Sequence, residues 1–352
     1  AHLYAKTSKG IIFWGMGVSQ HVHGTDNARC LISLALMTGN VGRRGSGLYP
    51  LSGENYVLGA SDAGLIPMMY PDYQLVEKDD KQNFFEKFWN TPLDNKKGLT
   101  VVEIMDAIHE NTIKGMYILG ENPAMSDPDL NHAREALQML EHLVVQDIFL
   151  TETATYADVI FPASAWPEKN GTATNTNRQV QMGRKALDAP GTAKEDWWIT
   201  NELGKRMGLD WSYEHPSEIY EEMSKTMPSL NNITWDRLEN ENSVTYPSRS
   251  PTTPGDEIVF GDKFPNETGR GKFVPASVTS PNEVPDEEFQ MILTTGRQLE
   301  HWHTGAMTRK ASNLDAIEPE ATVSISPSDI LKKNMTPGDK IKVSTRRGTI
   351  NI

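Results

Sequence analysis

The sequence predicts an α/β protein: doubly wound, parallel-sheet domains followed by the start of a C-terminal β-barrel. Three observations carry this. Short apolar runs alternate with helical stretches up to about residue 210, the spacing of strand–helix–strand units that build a parallel sheet. Several of those runs end in polar turns rich in Gly, the place where open α/β sheets bind ligands. From about residue 286 the pattern changes to apolar alternation, the period of a half-buried strand.

The elements follow in order. "AHLYAK" reads as the tail of a helix ending near Gly10, and "KGIIFWGMG" as a strand running into a turn. "TDNARCLISLALMTGN" reads as a helix with Thr25 or Asp26 at its N-cap and Gly39 at its C-cap. Cys30, on the apolar stretch of that helix, is expected to be buried and inert. Residues 40–67 read as one long Gly-rich loop. A second strand–loop–helix unit spans "IKGMYILGENPAMSDPDLNHAREALQML", its helix starting at Pro128. Then come the strand "HLVVQDIF", the helix-like "TETATYADV" and the strand "VIFPAS".

"EKNGTATNTNRQVQ" reads as a solvated loop, and "DWWITNELGKRMGL" as a helix ending at Gly208. Residues 228–285, rich in Pro, Asn, Ser and Thr, read as a linker or surface excursion. "FQMILTTGR" and "KIKVSTRRGTI" read as strands, with "TPGDK" as the turn before the latter. The domains are expected at 1–54 (the end of an α/β domain), 55–166 (a second α/β, cofactor-binding domain), 167–285 (a mixed polar segment with helices and linker) and 286–352 (a truncated barrel). Beginning without Met and stopping inside a strand pattern, the chain reads as an internal fragment.

Composition excludes several classes. The net charge of −13, from 34 basic and 47 acidic residues, argues against nucleic-acid and anionic-membrane binding. No apolar run approaches the roughly 20 residues of a membrane helix, and no secretory leader is visible. One cysteine in 352 residues excludes a disulfide framework and a self-contained iron–sulfur cluster. His301 and His303 are spaced like a metal pair but have no third ligand nearby in sequence, so no metal ligand is assigned.

The chemistry-bearing stretches sit at strand ends. In "WGMGVSQ", backbone N–H groups before a helix can meet a phosphate, or simply make a tight turn. In "GENPAMSD", Glu121 can accept from ribose hydroxyls and Ser126 can donate to a phosphate, while Ser126 or Asp127 can equally serve as an N-cap. "QDIFLT" makes a third polar strand end. "TGRQLEHWHTGAMTR" adds Arg297 and two histidines as donors to a phosphate or heterocycle.

Together and in order, these stretches resemble the molybdopterin oxidoreductases, most closely the catalytic alpha subunit of formate dehydrogenases. The resemblance runs from "GMGVSQHVHGTDNARCLISLALMTGNVGR" through "ASDAGLIPMMYPDYQ", "GENPAMSDPD" and "VVQDIFLTETATYADVIFPASAWPEKNGTATNTNRQVQ" to "LEHWHTGAMTR" and "SPSDILKKNMTPGDKIKVSTRRGTI". It implies that the C-terminal barrel is of the double-psi kind, and that molybdenum or tungsten is held by two molybdopterin guanine dinucleotides. Met16 and Gln20 would lie by one cofactor, with Gly53 and Asn55 in the next loop. Gly120, Glu121, Asn122 and Ser126 would take ribose and pyrophosphate. Gln146, Asp147, Thr151 and Asp196 would serve guanine and phosphate, and Arg297, Gln298 and His301 pterin or phosphate. A 4Fe–4S cluster is implied only for a missing N-terminal part. The implied substrate is formate, the implied partners electron-transfer subunits or domains, and the implied compartment cytoplasmic.

The loop "YPLSGENYVLGASDAG" departs from the pattern. Formate dehydrogenases typically read Arg-Gly-Gln-Asn-Asn where this chain has Ser52-Gly53-Glu54-Asn55-Tyr56. The two catalytic positions, Ser52 and Glu54, thus lose a cation and gain a carboxylate. Two alternatives stay open beside formate oxidation: a nitrate reductase-like oxyanion reductase, and a non-catalytic scaffold of the same fold.

Overall fold

The structure, a computed structural model, describes residues 1–51 and 57–352. The chain divides into two compact units, residues 1–98, 166–187 and 203–283 in the first, and 99–165, 188–202 and 284–352 in the second.

The first unit opens with α1 (His2–Lys6), β1 (Ile11–Trp14), the single-turn α2 (Met16–Ser19) and α3 (Gly24–Met37). The loop expected at 40–67 contains β2 (Gly47–Pro50), which pairs in parallel with β1, and α4 (Val57–Asp62). β3 (Met69–Tyr70), β4 (Gln74–Leu75) and α5 (Asp79–Trp89) follow. α3 forms as expected, but its N-cap is His23 and Cys30 is exposed. Of that helix only Gly24 and Ala35 are buried, so the thiol stands on a face that no described residue of the unit covers.

The second unit begins with α6 (Val101–His109), which starts at a capping box: Thr100 Oγ1 accepts from Glu103 N, and Glu103 Oε2 from Thr100 N at 2.7 Å. β5 (Gly115–Leu119), the single-turn α7 (Pro123–Ser126), α8 (Leu130–Met139), β6 (His142–Asp147) and β7 (Val159–Pro162) complete a sheet of order β5–β6–β7. Both pairings are parallel, Ile118 opposite Val145 and Gln146 opposite Phe161. Met105 and Ile108 on α6 and Ala133, Ala136 and Leu137 on α8 pack with Ile118, Leu143 and Val145 in one core. The i, i+3, i+4 spacing on the helices meets the two-residue alternation on the strands. "TETATYADV" folds only as a 3-10 turn, Thr153–Tyr156.

The stretch expected to be a solvated loop is instead a hairpin in the first unit. β8 (Gly171–Thr174) and β9 (Gln179–Gly183) pair antiparallel, and Thr174 and Val180 are buried. The Thr-rich run is polar by composition yet branched at Cβ, which suits a pleated strand. α9 (Asp196–Arg206), α10 (Pro216–Thr226), α11 (Trp235–Glu241) and β10 (Ser243–Thr245) follow. β10 extends the β8–β9 sheet, and Val180, Tyr220, Ile233, Leu238 and Val244 form its core.

The early part of the expected linker at 228–285 is thus ordered. A buried Arg237 explains how its polar residues join in: the guanidinium pairs with Glu241 at 2.8 Å and donates to the carbonyls of Asn232, Ser250 and Thr253. The chain wraps a cation instead of an apolar side chain.

The second unit ends with α12 (Ser312–Ile317), α13 (Pro327–Lys332) and the hairpin β11 (Lys342–Ser344) with β12 (Thr349–Asn351). "KIKVSTRRGTI" pairs as expected. "FQMILTTGR" does not form a strand, and Met291, Ile292 and Leu293 are exposed. A strand exists only with a ladder partner, and among the described residues β11 and β12 pair only with each other.

Candidate functional site

The carboxyl ends of β5, β6 and β7 bring the second unit's polar stretches together. At the end of β5, Gly120 turns the chain with φ +66°, and its N–H donates to the Gln146 carbonyl at 2.9 Å. A Cβ added at Gly120 would meet nothing within 4 Å, so the glycine is required for its backbone angle and open space adjoins it.

Two strand-end loops are fastened to each other beside it. The buried Asn122 donates to Glu152 Oε2 at 2.9 Å, and its Oδ1 accepts from Thr153 N at 3.2 Å and Thr153 Oγ1 at 2.7 Å. The Thr153 hydroxyl oxygen in turn accepts from Ala124 N at 3.0 Å. Arg134 Nε, from α8, donates to the Ala124 carbonyl at 2.8 Å. The Asn122 bond, above all, holds the Glu152 carboxyl below its ordinary range. Thr151 is buried and accepts from Ala154 N at 3.3 Å.

At the end of β6, Gln146 is wholly buried, 0% exposed. Its Nε2 donates to Asp196 Oδ1 at 2.6 Å, and its Oε1 accepts the Tyr117 hydroxyl of β5. Asp147 next to it is half-buried, and burial raises its carboxyl. The N–H groups of Ile148 and Phe149 pull it back, while the Asp196 charge pushes it further up. Asp196 reaches this edge because residues before α9 run beside β7. Lys194 N donates to the Pro162 carbonyl at 3.1 Å, and Ser164 N to the Lys194 carbonyl at 2.9 Å.

Gly120, Glu121, Asn122, Ser126, Gln146, Asp147, Thr151 and Asp196 therefore share one sheet edge. Glu121 is exposed, and Ser126 lies against Asp127 at 3.4 Å. Arg297, Gln298 and His301 belong to the same unit but are not drawn into this cluster by any hydrogen bond or ion pair among the described residues. Arg297 is exposed, Gln298 donates to Glu300 at 3.3 Å, and His301 Nε2 lies 2.6 Å from the Glu318 carbonyl. Lys310, which the sequence did not single out, does reach the edge: its Nζ lies 5.7 Å from the Phe149 ring centroid. Tyr117, Thr153 and Arg134 are likewise new. Only Thr153 carried a signal, a hydroxyl within the resembling stretch "TETATYAD".

In the first unit, Met16 opens α2 half-buried and Gln20 closes it exposed. Ser52, Gly53, Glu54 and Asn55 lie outside the described residues. A cavity of about 480 Å³ in this unit, lined by Trp89, Trp211 and the acidic face of α10, includes none of the expected site residues. Among the described residues, no group of three or more His, Cys, Asp or Glu is placed to hold a metal ion, and no helix is long and apolar enough to cross a membrane.

Comparison with known proteins identifies what the chain is similar to. The profile of the family described as "Molybdopterin oxidoreductase" matches residues 2–206, and that of "Molydopterin dinucleotide binding domain" matches residues 291–352. The chain is 43% identical to the F420-dependent formate dehydrogenase subunit alpha of Methanocaldococcus jannaschii, over 99% of this chain and 52% of that protein. It is 40% identical to the F420-dependent formate dehydrogenase 2 subunit alpha of Methanococcus maripaludis, over 100% of this chain and 52% of that one. The chain thus spans about half the length of these relatives. The acetylene hydratase of Pelobacter acetylenicus shares the fold, with a TM-score of 0.67 at 16% identity over 99% of this chain and 52% of that one.

Proposed function

The chain belongs to the molybdopterin oxidoreductase family, and from that premise we propose that it is the alpha-type chain of a formate dehydrogenase, binding molybdenum or tungsten through two molybdopterin guanine dinucleotides. The observation that carries the reading is 43% identity to a formate dehydrogenase alpha subunit sustained across 99% of the chain. When bound, the group supplies the acceptor for the electron pair of formate, which leaves as CO2 and a proton.

The strand-end rim of the second unit fits such a group. Open space adjoins Gly120, the Ser126 hydroxyl is exposed, the Asp147 and Asp196 carboxylates are half-buried, and Thr151 is buried at the same strand ends. Hydroxyls suit pyrophosphate, and carboxylates suit the N–H edge of guanine. Glu121 and Asn122 would complete the ribose and pyrophosphate side, and Gln146 the guanine side. Met16, Gln20, Gly53 and Asn55 would lie by a cofactor, and Arg297, Gln298 and His301 of the C-terminal segment would contact pterin or phosphate. The domain division at residues 54, 166 and 285 belongs to the same proposal, as do electron-transfer partners, a cluster outside this chain and a cytoplasmic location.

Ser52 and Glu54 bear on catalysis itself. An Arg at 52 would hold formate by a charge-assisted bond of about 1.5–3 kcal/mol, which Ser cannot make. Two measurements on the protein expressed from its complete reading frame test the proposal: metal content, and formate-dependent dye reduction. We expect both to be positive, with Ser52→Arg lowering the formate KM by about tenfold or more. A metal-loaded protein inert to formate would reject the assignment but spare the family. The altered Ser52 and Glu54 specifically favour one second reading, a scaffold that keeps the fold without the metal, and a purified protein devoid of guanine nucleotide would establish it.

A further inference from the structure

We propose that the cavity of the first unit is a binding site for a small quaternary ammonium compound, its positive charge seated between aromatic rings and carboxylates. The inference goes beyond the function proposed above and does not rest on it, since the cavity is lined by none of that site's residues.

On α10, Glu218, Glu221, Glu222 and Lys225 fall at i, i+3, i+4 and i+7, which puts all four on one face. Such a face ordinarily looks into water. Here it bounds a space of about 480 Å³ together with Phe88 and Trp89 of α5 and with Trp211 and Tyr213, all of the same unit. That volume is within the range of small-molecule sites. Lys225 Nζ is taken up by Glu221 at 2.9 Å, so Glu218 and Glu222 set the sign of the local charge. The rings are held in place. Trp89 packs on the wholly buried Phe85, centroids 4.8 Å apart, and its Nε1–H donates to Glu222 Oε1 at 3.3 Å. The Tyr213 hydroxyl donates to Glu222 Oε2. Burial, then that bond and the Glu222 charge, pushes the phenol up to about 12, so it adds no charge of its own at neutral pH. Gly204 on α9 makes room for Trp211, because a Cβ there would overlap the indole ring. Trp211 and Tyr213 stand 6.3 Å apart and tilted by 54°, and Phe88 and Trp89 stand 6.4 Å apart at 73°, so neither pair closes the space by stacking flat. Aromatic rings beside carboxylates attract a cation. The donors already directed at Glu222 leave its charge in place but compete for its oxygens. That favours a fully N-methylated cation, which needs no acceptor, over a guanidinium with its five N–H groups.

The test titrates choline, guanidinium and glycine betaine, at constant ionic strength, into the protein expressed from its complete reading frame. Binding is read by calorimetry and by tryptophan fluorescence. Choline should half-saturate the protein at about 1 mM or below. Guanidinium should bind at least about threefold more weakly, and glycine betaine, whose own carboxylate meets Glu218 and Glu222, at least about tenfold more weakly. Trp211→Leu removes one aromatic wall, and Glu222→Gln keeps an acceptor for Trp89 while removing the charge. Each should weaken choline binding by about threefold to tenfold. Where either variant fails to fold, the order of the three ligands in wild type decides the matter. The site is overturned by a wild type that leaves choline unbound at about 10 mM or takes guanidinium as tightly as choline. Folded variants that both bind choline as wild type does overturn it equally.

Discussion

A buried carboxyl in the first unit gives the clearest titration argument. Asp62, at the end of α4, is 4% exposed and accepts the Tyr246 hydroxyl at 2.8 Å. Burial raises its pKa more than hydrogen bonds from Tyr246 and Tyr73 lower it, and burial, followed by the Asp62 charge, pushes Tyr73 up to about 12. A raised folded-state value means the fold prefers the protonated acid. The resulting stabilisation is complete below the unfolded value of about 3.9 and is lost as pH rises through the folded one. Asp62→Asn should therefore raise Tm at pH 7.5, do little at pH 4, and flatten the profile between them. A substitution that lowers Tm at pH 7.5 would show that the fold uses the ionised form. Residue identities were legible in the sequence, but burial was not. Gln146 was picked out by its place at a strand end, whereas Tyr117 looked like one more apolar position in "GMYIL". Cys30 failed for the converse reason: an apolar stretch suggested a core that the helix does not meet there.

Elements with strong periodicity were legible, and those held by side-chain chemistry were not. β1, β5, β6, β7, α3, α8 and α9 follow from apolar spacing alone. The β8–β9 hairpin was hidden because its strands are polar, and α11 because its surroundings are rich in Pro, Ser and Thr. Arg237 organises that region through hydrogen bonds to carbonyls more than ten residues apart in sequence, a relation no local window displays. Lysine cannot reproduce the fork of donors. Arg237→Lys should therefore destabilise the protein by about 2–3 kcal/mol, read from denaturant unfolding followed by the fluorescence of the adjacent Trp235. In the second unit, Leu137→Ala should cost about 2–5 kcal/mol, because Leu137 is 2% exposed within a packed core. A loss under 1 kcal/mol in either variant would mean that its surroundings re-form around the change.

For the whole molecule, the family was legible because its motifs recur in order, and the polar strand-end stretches of the second unit do fold to one edge. The C-terminal segment was less legible, since a strand such as "FQMILTTGR" depends on a distant partner. Charge acts at this scale too. With a net charge of −13 the protein should pass through heparin at about 0.15 M salt and bind an anion exchanger at pH 7. Retention on heparin would reveal a local basic surface that the total conceals. The Asn122–Thr153–Glu152 bonds carry a consequence of their own. Because they cross from one loop to its neighbour, the two cannot open independently. Amide exchange in 120–126 and 151–155 should rise and fall as one kinetic unit, so that whatever settles on either loop is felt at once by both.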